Sequence, residues 1–206
     1  MNASATPTGA DDAAAPSDGE PVYAYKPNLV GSPWIFRLAR RGLEWEYGRR
    51  SGTVPYDQVK RVRMSFRPAT MQGYRFVTEV WSPLAPKLQI SSTSFKGLME
   101  QARQDQDYIA FVGELHRRLD AAGAAARFDS GMNPILYWPG VAVMALIGVA
   151  LFIFLVKVLL SGDLTGALVV IGVMALFVWQ VGTIFYRNRP RSYRPDDPPP
   201  AVMPKV

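Results

Sequence analysis

Two stretches decide the architecture: ILYWPGVAVMALIGVALFIFLVKVLL, residues 135–160, and LTGALVVIGVMALFVWQVGTIFY, residues 164–186. Lys157 is the only charge in the first, and the second has none. A helix needs roughly 20 apolar residues to cross about 30 Å of hydrocarbon. Both stretches meet that length and are apolar all round, so neither has the polar face of a core helix. The polar link Ser161-Gly-Asp163, with Thr165-Gly166 after it, turns the chain back on itself. The expected unit is a transmembrane hairpin over 134–187, with Tyr137, Trp138, Tyr186 and Arg187 as interface anchors. Lys157 can snorkel to the far side. Gly140, Gly148, Gly172 and Gly182 leave room for close packing of the two helices.

Charge on the flanks sets the orientation. The tail carries Arg187, Arg189, Arg191 and Arg194, Arg127 precedes the first span, and the turn has no Lys or Arg. The positive-inside rule then places both termini in the cytoplasm and the tip outside, in a cell inner membrane. Residues 1–27 are rich in Ala, Pro, Ser, Gly and Asp, hold four acids and carry no apolar periodicity. They read as disordered and lack the pattern of a signal peptide. Residues 188–206, with Pro195 and Pro198–Pro200, read as a disordered Arg/Pro-rich tail.

Between these ends, residues 28–125 alternate in the manner of short strands split by turns. Trp34–Leu38, Leu43–Tyr47, Val59–Phe66, Tyr74–Trp81 and Lys87–Thr93 are the expected strands. Residues 94–104 fit a loop, a short strand or an early helical turn. Tyr108, Phe111, Val112, Leu115 and Leu119 then form one helical stripe, with Asp105 or Asp107 at its start and Gly123 as its stop. Strands first and one helix last predict an α+β domain whose helix covers the sheet.

The paired early strands, the Val54-Pro55-Tyr56-Asp57-Gln58-Val59 segment leading into a basic strand, and the closing helix Tyr108–Leu119 resemble the bacterial pleckstrin-homology-like domain. The resemblance covers about half the chain. It implies a small antiparallel barrel or sandwich with a C-terminal helix, fused to membrane helices, and it brings no catalytic residue.

The chemistry available is narrow. The absence of Cys removes thiolate metal sites and cysteine nucleophiles, and one histidine, His116, leaves no partner for a triad. His116 lies off the apolar stripe as drawn and reads as a surface residue. No Walker A, G-x-S-x-G, H-E-x-x-H or G-x-G-x-x-G pattern occurs, so no cofactor is expected and the chain reads as a non-enzyme.

The net charge of +6 gathers mainly in the β-rich region, where residues 33–128 hold sixteen bases and nine acids. Arg37, Arg49, Arg50, Lys60, Arg61, Arg63 and Arg67 form the candidate binding face, accompanied by Arg40 and Arg41. One reading is a solvated cationic face that only records its side of the membrane. The other is a surface for anionic lipid headgroups or a protein partner. Nucleic acid is not expected, because no helix-turn-helix, RRM or zinc pattern accompanies the charge. Two functions follow as expectations: a membrane-anchored interaction module, or a small transport or accessory subunit that self-associates around a path.

Overall fold

The computed structural model describes residues 19–68, 74–96 and 101–204. The expectation for residues 1–18 lies outside them. The chain forms a sheet-rich α+β domain followed by two long apolar helices. Strands β1 (Val22–Tyr25), β2 (Trp34–Leu38), β3 (Gly42–Tyr47) and β4 (Arg50–Pro55) build one antiparallel sheet in that order. The second sheet uses β5 (Arg61–Pro68), β6 (Tyr74–Ser82), β7 (Ala85–Ser91), β10 (Arg127–Ser130) and β11 (Arg191–Ser192), ordered β11-β10-β5-β6-β7. Here β10 runs parallel to β5, while the other pairs are antiparallel. A small ladder joins β8 (Thr93–Phe95) to β9 (Gln101–Arg103), which assigns residues 94–95 and 101–103 of the ambiguous stretch to strands, while 97–100 lie outside the described residues.

The two larger sheets share one core. Phe36, Leu38, Leu43 and Val54 from the first and Val62, Met64, Phe76, Leu88 and Ile90 from the second are buried in one cluster. Side-chain bonds tie the sheets where backbone ladders do not: the Tyr23 hydroxyl donates to Ser91 O at 2.6 Å and that of Tyr25 to Gln89 O at 2.5 Å. Among the described residues no ladder joins the sheets into a closed barrel, so the barrel form of the expected fold is not present.

Helix α1 (Asp105–Ala121) buries Tyr108, Phe111, Val112, Leu115 and Leu119 against this core, as the stripe requires. Gly123 ends it with φ +60°, a conformation glycine takes without a Cβ clash. Asp105 and Asp107 lie in the first turn, but neither side chain caps the helix. Arg118 fastens the helix to the end of β2 by donating to the carbonyls of Leu38 and Ala39 at 2.5 and 2.9 Å.

The domain extends beyond both expected limits. Strand β1 lies in the segment read as disordered, because Tyr23 and Tyr25 are inward-facing and 3% and 4% exposed. Residues 189–204 of the tail are ordered rather than disordered. Ser192 and Arg191 pair with Asp129 and Ser130, Tyr193 N donates to Phe128 O, and Val202 joins the core at 1% exposure. The core takes up these few apolar tail residues, and their burial offsets the cost of ordering the prolines around them.

Helices α2 (Pro134–Leu160) and α3 (Leu164–Arg187) form the hairpin. Asn133 caps α2, its Oδ1 accepting from Ile135 N at 3.2 Å, with Pro134 as first helical residue. Asp163 caps α3 by accepting from Gly166 N at 2.9 Å. Near the base, a Cβ on Gly140 would lie 2.9 Å from the Phe185 ring, so the helices approach there at glycine distance. In the most apolar 18-residue stretch of each helix, 0% and 6% of the residues are buried. A soluble chain does not leave such a surface to water, so the hairpin belongs in a bilayer.

Candidate functional site at the hairpin base

Both ends of the hairpin return to the same sheet. Strand β10 leads into α2, and β11 leaves α3 and pairs back onto β10. The junction is tight: Met132 N donates to Asn188 O at 2.9 Å, and a Cβ on Gly131 would meet Arg189 O and Asn188 O at 2.5 Å. Asn188 is the pin, buried at 1% exposure. Its Oδ1 accepts from Phe66 N at 3.0 Å and its Nδ2 donates to Ile184 O at 3.1 Å, joining β5 to the end of α3. The soluble domain is therefore fixed against the point where both helices enter the membrane.

The seven candidate basic residues do not form one face. Arg37, Arg49 and Arg50 belong to the first sheet. Arg37 faces Glu44 in register and lines a shallow hollow of about 320 Å³ with Glu46, Ser51 and Thr53. Arg49 and Arg50 are exposed at the β3–β4 turn. Lys60 is exposed just before β5. Arg61, Arg63 and Arg67 share the outer side of β5 and border the hairpin base.

Their charges are balanced unequally. Arg61 Nη2 lies 2.6 Å from Asp129 Oδ2, and Arg127 Nε donates to the other oxygen of Asp129 at 2.9 Å. Arg67 Nη2 donates to Glu79 Oε1 at 2.8 Å, an oxygen that also receives Lys87 Nζ at 3.0 Å. Burial alone would raise the Glu79 carboxyl, but Lys87 and Arg67 outweigh it and hold the group below its ordinary range. Arg63 has no carboxylate partner among the described residues. Its guanidinium lies 5.6 Å from the Trp81 ring centroid. Burial and the neighbouring Arg61 lower its affinity for its proton.

Two hollows open between these residues and the hairpin. The first, about 190 Å³, is lined by Arg61, Arg63, Arg127, Asp129 and Arg191 together with Met132, Pro134 and Pro190. The second, about 290 Å³, has a largely apolar lining of Phe66, Met132, Leu136 and Ile184, with Arg63 and Arg67 at its side. Arg127, Arg191 and Asp129 were not singled out from the sequence as members of this site. Asp129 is the only acid between Asp120 and Asp163, which is the one sequence signal for it.

The four expected interface anchors divide. Trp138 and Tyr186 are 62% and 80% exposed and free to sit at the bilayer boundary. Tyr137 is instead buried, its ring 5.7 Å from that of Phe185 in the hairpin packing. Arg187 is turned towards the domain: its guanidinium lies 4.2 Å from the Phe66 ring centroid, and its Nε donates to Ala201 O at 3.0 Å. The ordered tail supplies that carbonyl, which is why Arg187 does not reach outward.

His116 also departs from expectation. It is 1% exposed, its Nδ1 lies 2.7 Å from Val112 O, and its Nε2 lies 2.8 Å from the Tyr193 hydroxyl. Burial pushes its affinity for a second proton down, and the Val112 carbonyl only partly restores it. Burial likewise pushes the Tyr193 hydroxyl up. No family model matches the chain, and neither a curated protein nor a solved structure matches it.

Proposed function

We propose that this chain is a non-enzymatic, membrane-anchored interaction module. A cytoplasmic, pleckstrin-homology-like domain is held by the hairpin on the inner membrane, with its β5 end directed at anionic headgroups of the inner leaflet. The strand order and the closing helix support the family likeness; the open sheets and the parallel β10 depart from it. The arginine-rich flanks against a cation-free tip support the cytoplasmic side. The single histidine lies buried against the tail, which favours a structural role for the only imidazole in the chain.

One observation carries the lipid reading: Arg61, Arg63, Arg67, Arg127 and Arg191 gather where α2 and α3 enter the membrane. Each cation at an anionic surface contributes on the order of 1 kcal/mol, and the covalent tether removes the cost of bringing the domain there. The test is hydrogen exchange on the full chain in nanodiscs of phosphatidylcholine, with and without phosphatidylglycerol. Amides of β5 and β10 should be better protected with the anionic lipid, and salt should remove the difference. Equal protection in both discs rejects the lipid reading, and protection by an added protein alone would transfer the site to that partner.

A further inference from the structure

We propose that the apolar cleft between β5 and the hairpin base holds one anionic phospholipid molecule, with its phosphate on Arg63 and Arg67 and its glycerol end against Phe66, Met132, Leu136 and Ile184. This rests on the membrane-facing reading of the β5 end and adds a discrete, stoichiometric site to it.

The lining argues for a lipid over a soluble anion. Each uncharged polar side chain in the cleft wall makes a hydrogen bond within the protein. Asn188 is bonded to Phe66 N and Ile184 O, Asn133 Oδ1 to Ile135 N, and Ser65 Oγ accepts from Arg67 Nε at 3.2 Å. A small polar solute would meet apolar walls there and lose its water without compensation. Leu136 and Ile184 belong to the membrane ends of α2 and α3, so the cleft opens at the boundary between headgroups and acyl chains. A phospholipid presents apolar matter and a phosphate at that depth.

The charge argues for an anion over a zwitterion. Arg61 and Arg63 both lie over the Trp81 ring, but Arg61 and Arg67 each have a carboxylate, whereas Arg63 has no ion-pair partner among the described residues. Arg67 uses Nε on Ser65 and Nη2 on Glu79, and among the described residues Nη1 has no acceptor. A phosphate beside Arg63 would give this arginine the direct ion pair that it lacks among the described residues, and its oxygens suit the planar donor array of a guanidinium.

Native mass spectrometry of the full chain in non-ionic detergent tests this, with phosphatidylglycerol, phosphatidylcholine and soluble glycerol phosphate as probes. One phosphatidylglycerol per chain should be retained, more firmly than phosphatidylcholine, and glycerol phosphate should not be. Arg63→Gln should weaken retention about tenfold, as expected for loss of one charge-assisted contact. Leu136→Trp, at a 65% exposed position, should fill the cleft and weaken it as well, while Arg50→Gln on the other sheet should change nothing. Equal retention of both lipids, binding of glycerol phosphate, or an unaffected Arg63→Gln overturns the site. Exchange protection that persists in anionic nanodiscs while no lipid is retained rejects the cleft alone. Loss of both rejects the membrane-facing reading with it.

Discussion

Nε2 of His116, on helix α1, lies 2.8 Å from the hydroxyl of Tyr193, 77 residues later and beyond both membrane helices. With Nδ1 donating to Val112 O, Nε2 is the acceptor and the Tyr193 hydroxyl the donor. The contact closes the tail over Phe128, whose ring centroid is 5.7 Å from that of Tyr193. Tyr193→Phe should keep the aromatic packing and cost about 1 kcal/mol, one buried hydrogen bond with its acceptor left unpaired. Thermal unfolding of the full chain in detergent reads the difference, and an unchanged midpoint would deny the bond any weight.

Acid should loosen the same contact. Burial depresses the proton affinity of His116 in the folded chain, so the unfolded chain binds a proton first as pH falls below about 6.5. Stability is therefore complete above that pH and declines as pH falls towards the depressed folded value. The sequence contains one histidine, so loss of exchange protection at residues 191–193 on moving from neutral to mildly acid pH isolates this group. A tail equally protected at both pH values contradicts the coupling.

Leu115 is fully buried in the centre of the α1 stripe. Leu115→Asp places an unpaired carboxylate there and should remove several kcal/mol, comparable with the stability of a whole domain. Arg63→Gln removes a half-exposed cation from the Trp81 ring and should cost only about 0.5 kcal/mol. Charge reversal is a poorer probe, because Glu79 is the cross-strand neighbour of Arg63 and a second carboxylate would face it. Similar melting temperatures for Leu115→Asp and Arg63→Gln would show the helix stripe to be misassigned.

A fragment of residues 28–125 omits β1, β10, β11 and Val202, and with them Tyr23, Tyr25 and Phe128 of the core. Each buried aromatic contributes roughly 1.5–3 kcal/mol, so this fragment should not hold a fixed fold. Residues 19–132 joined by a short Gly/Ser linker to 188–204 keep those residues and should fold, since Met132 and Asn188 are already hydrogen-bonded neighbours. Amide dispersion in NMR spectra separates the two, and a well-dispersed 28–125 fragment would contradict the role given to the flanking strands.

Gly140 allows α2 and α3 to touch, whereas Gly148 has nothing within 4 Å of a built Cβ. Gly140→Val should push Phe185 aside and weaken the hairpin by about 1–3 kcal/mol, while Gly148→Val should be tolerated. Thermal stability of the two variants in detergent checks the pairing.

For the orientation, a reporter active only outside the cytoplasm and fused after Val206 should be silent, and the same reporter inserted between Gly162 and Asp163 should be active. The reverse result would place the arginine-rich flanks outside.

Much of this structure was legible in local pattern. The spans needed only length and the lack of charge, and β2, β3, β5, β6, β7 and α1 followed from alternation and one helical stripe. Strand β4, with the sequence RSGTVP, carries Gly and Pro and reads as a turn until β3 pairs with it. Strand β10 is parallel to β5 and about 65 residues away in sequence, a pairing that no local signal encodes. His116 was within reach: Tyr108, Val112 and His116 follow at intervals of four along one helical row, but a count of apolar residues alone omits it. Its partner, in a proline-rich tail, was not. The basic residues were visible as composition. Which of them remained uncompensated was not, because that depended on Asp129, Glu79 and Trp81 arriving from other elements.

The tail that carries Tyr193 and Val202 is made after both membrane helices, so the soluble core cannot be completed until they have left the ribosome. A nascent chain has β1 to β10 and α1 available early, yet the surfaces of His116 and Phe128 that Tyr193 will cover stay open until the tail arrives. Only a chain whose second helix has crossed back delivers the closing segment to the side where that open core waits.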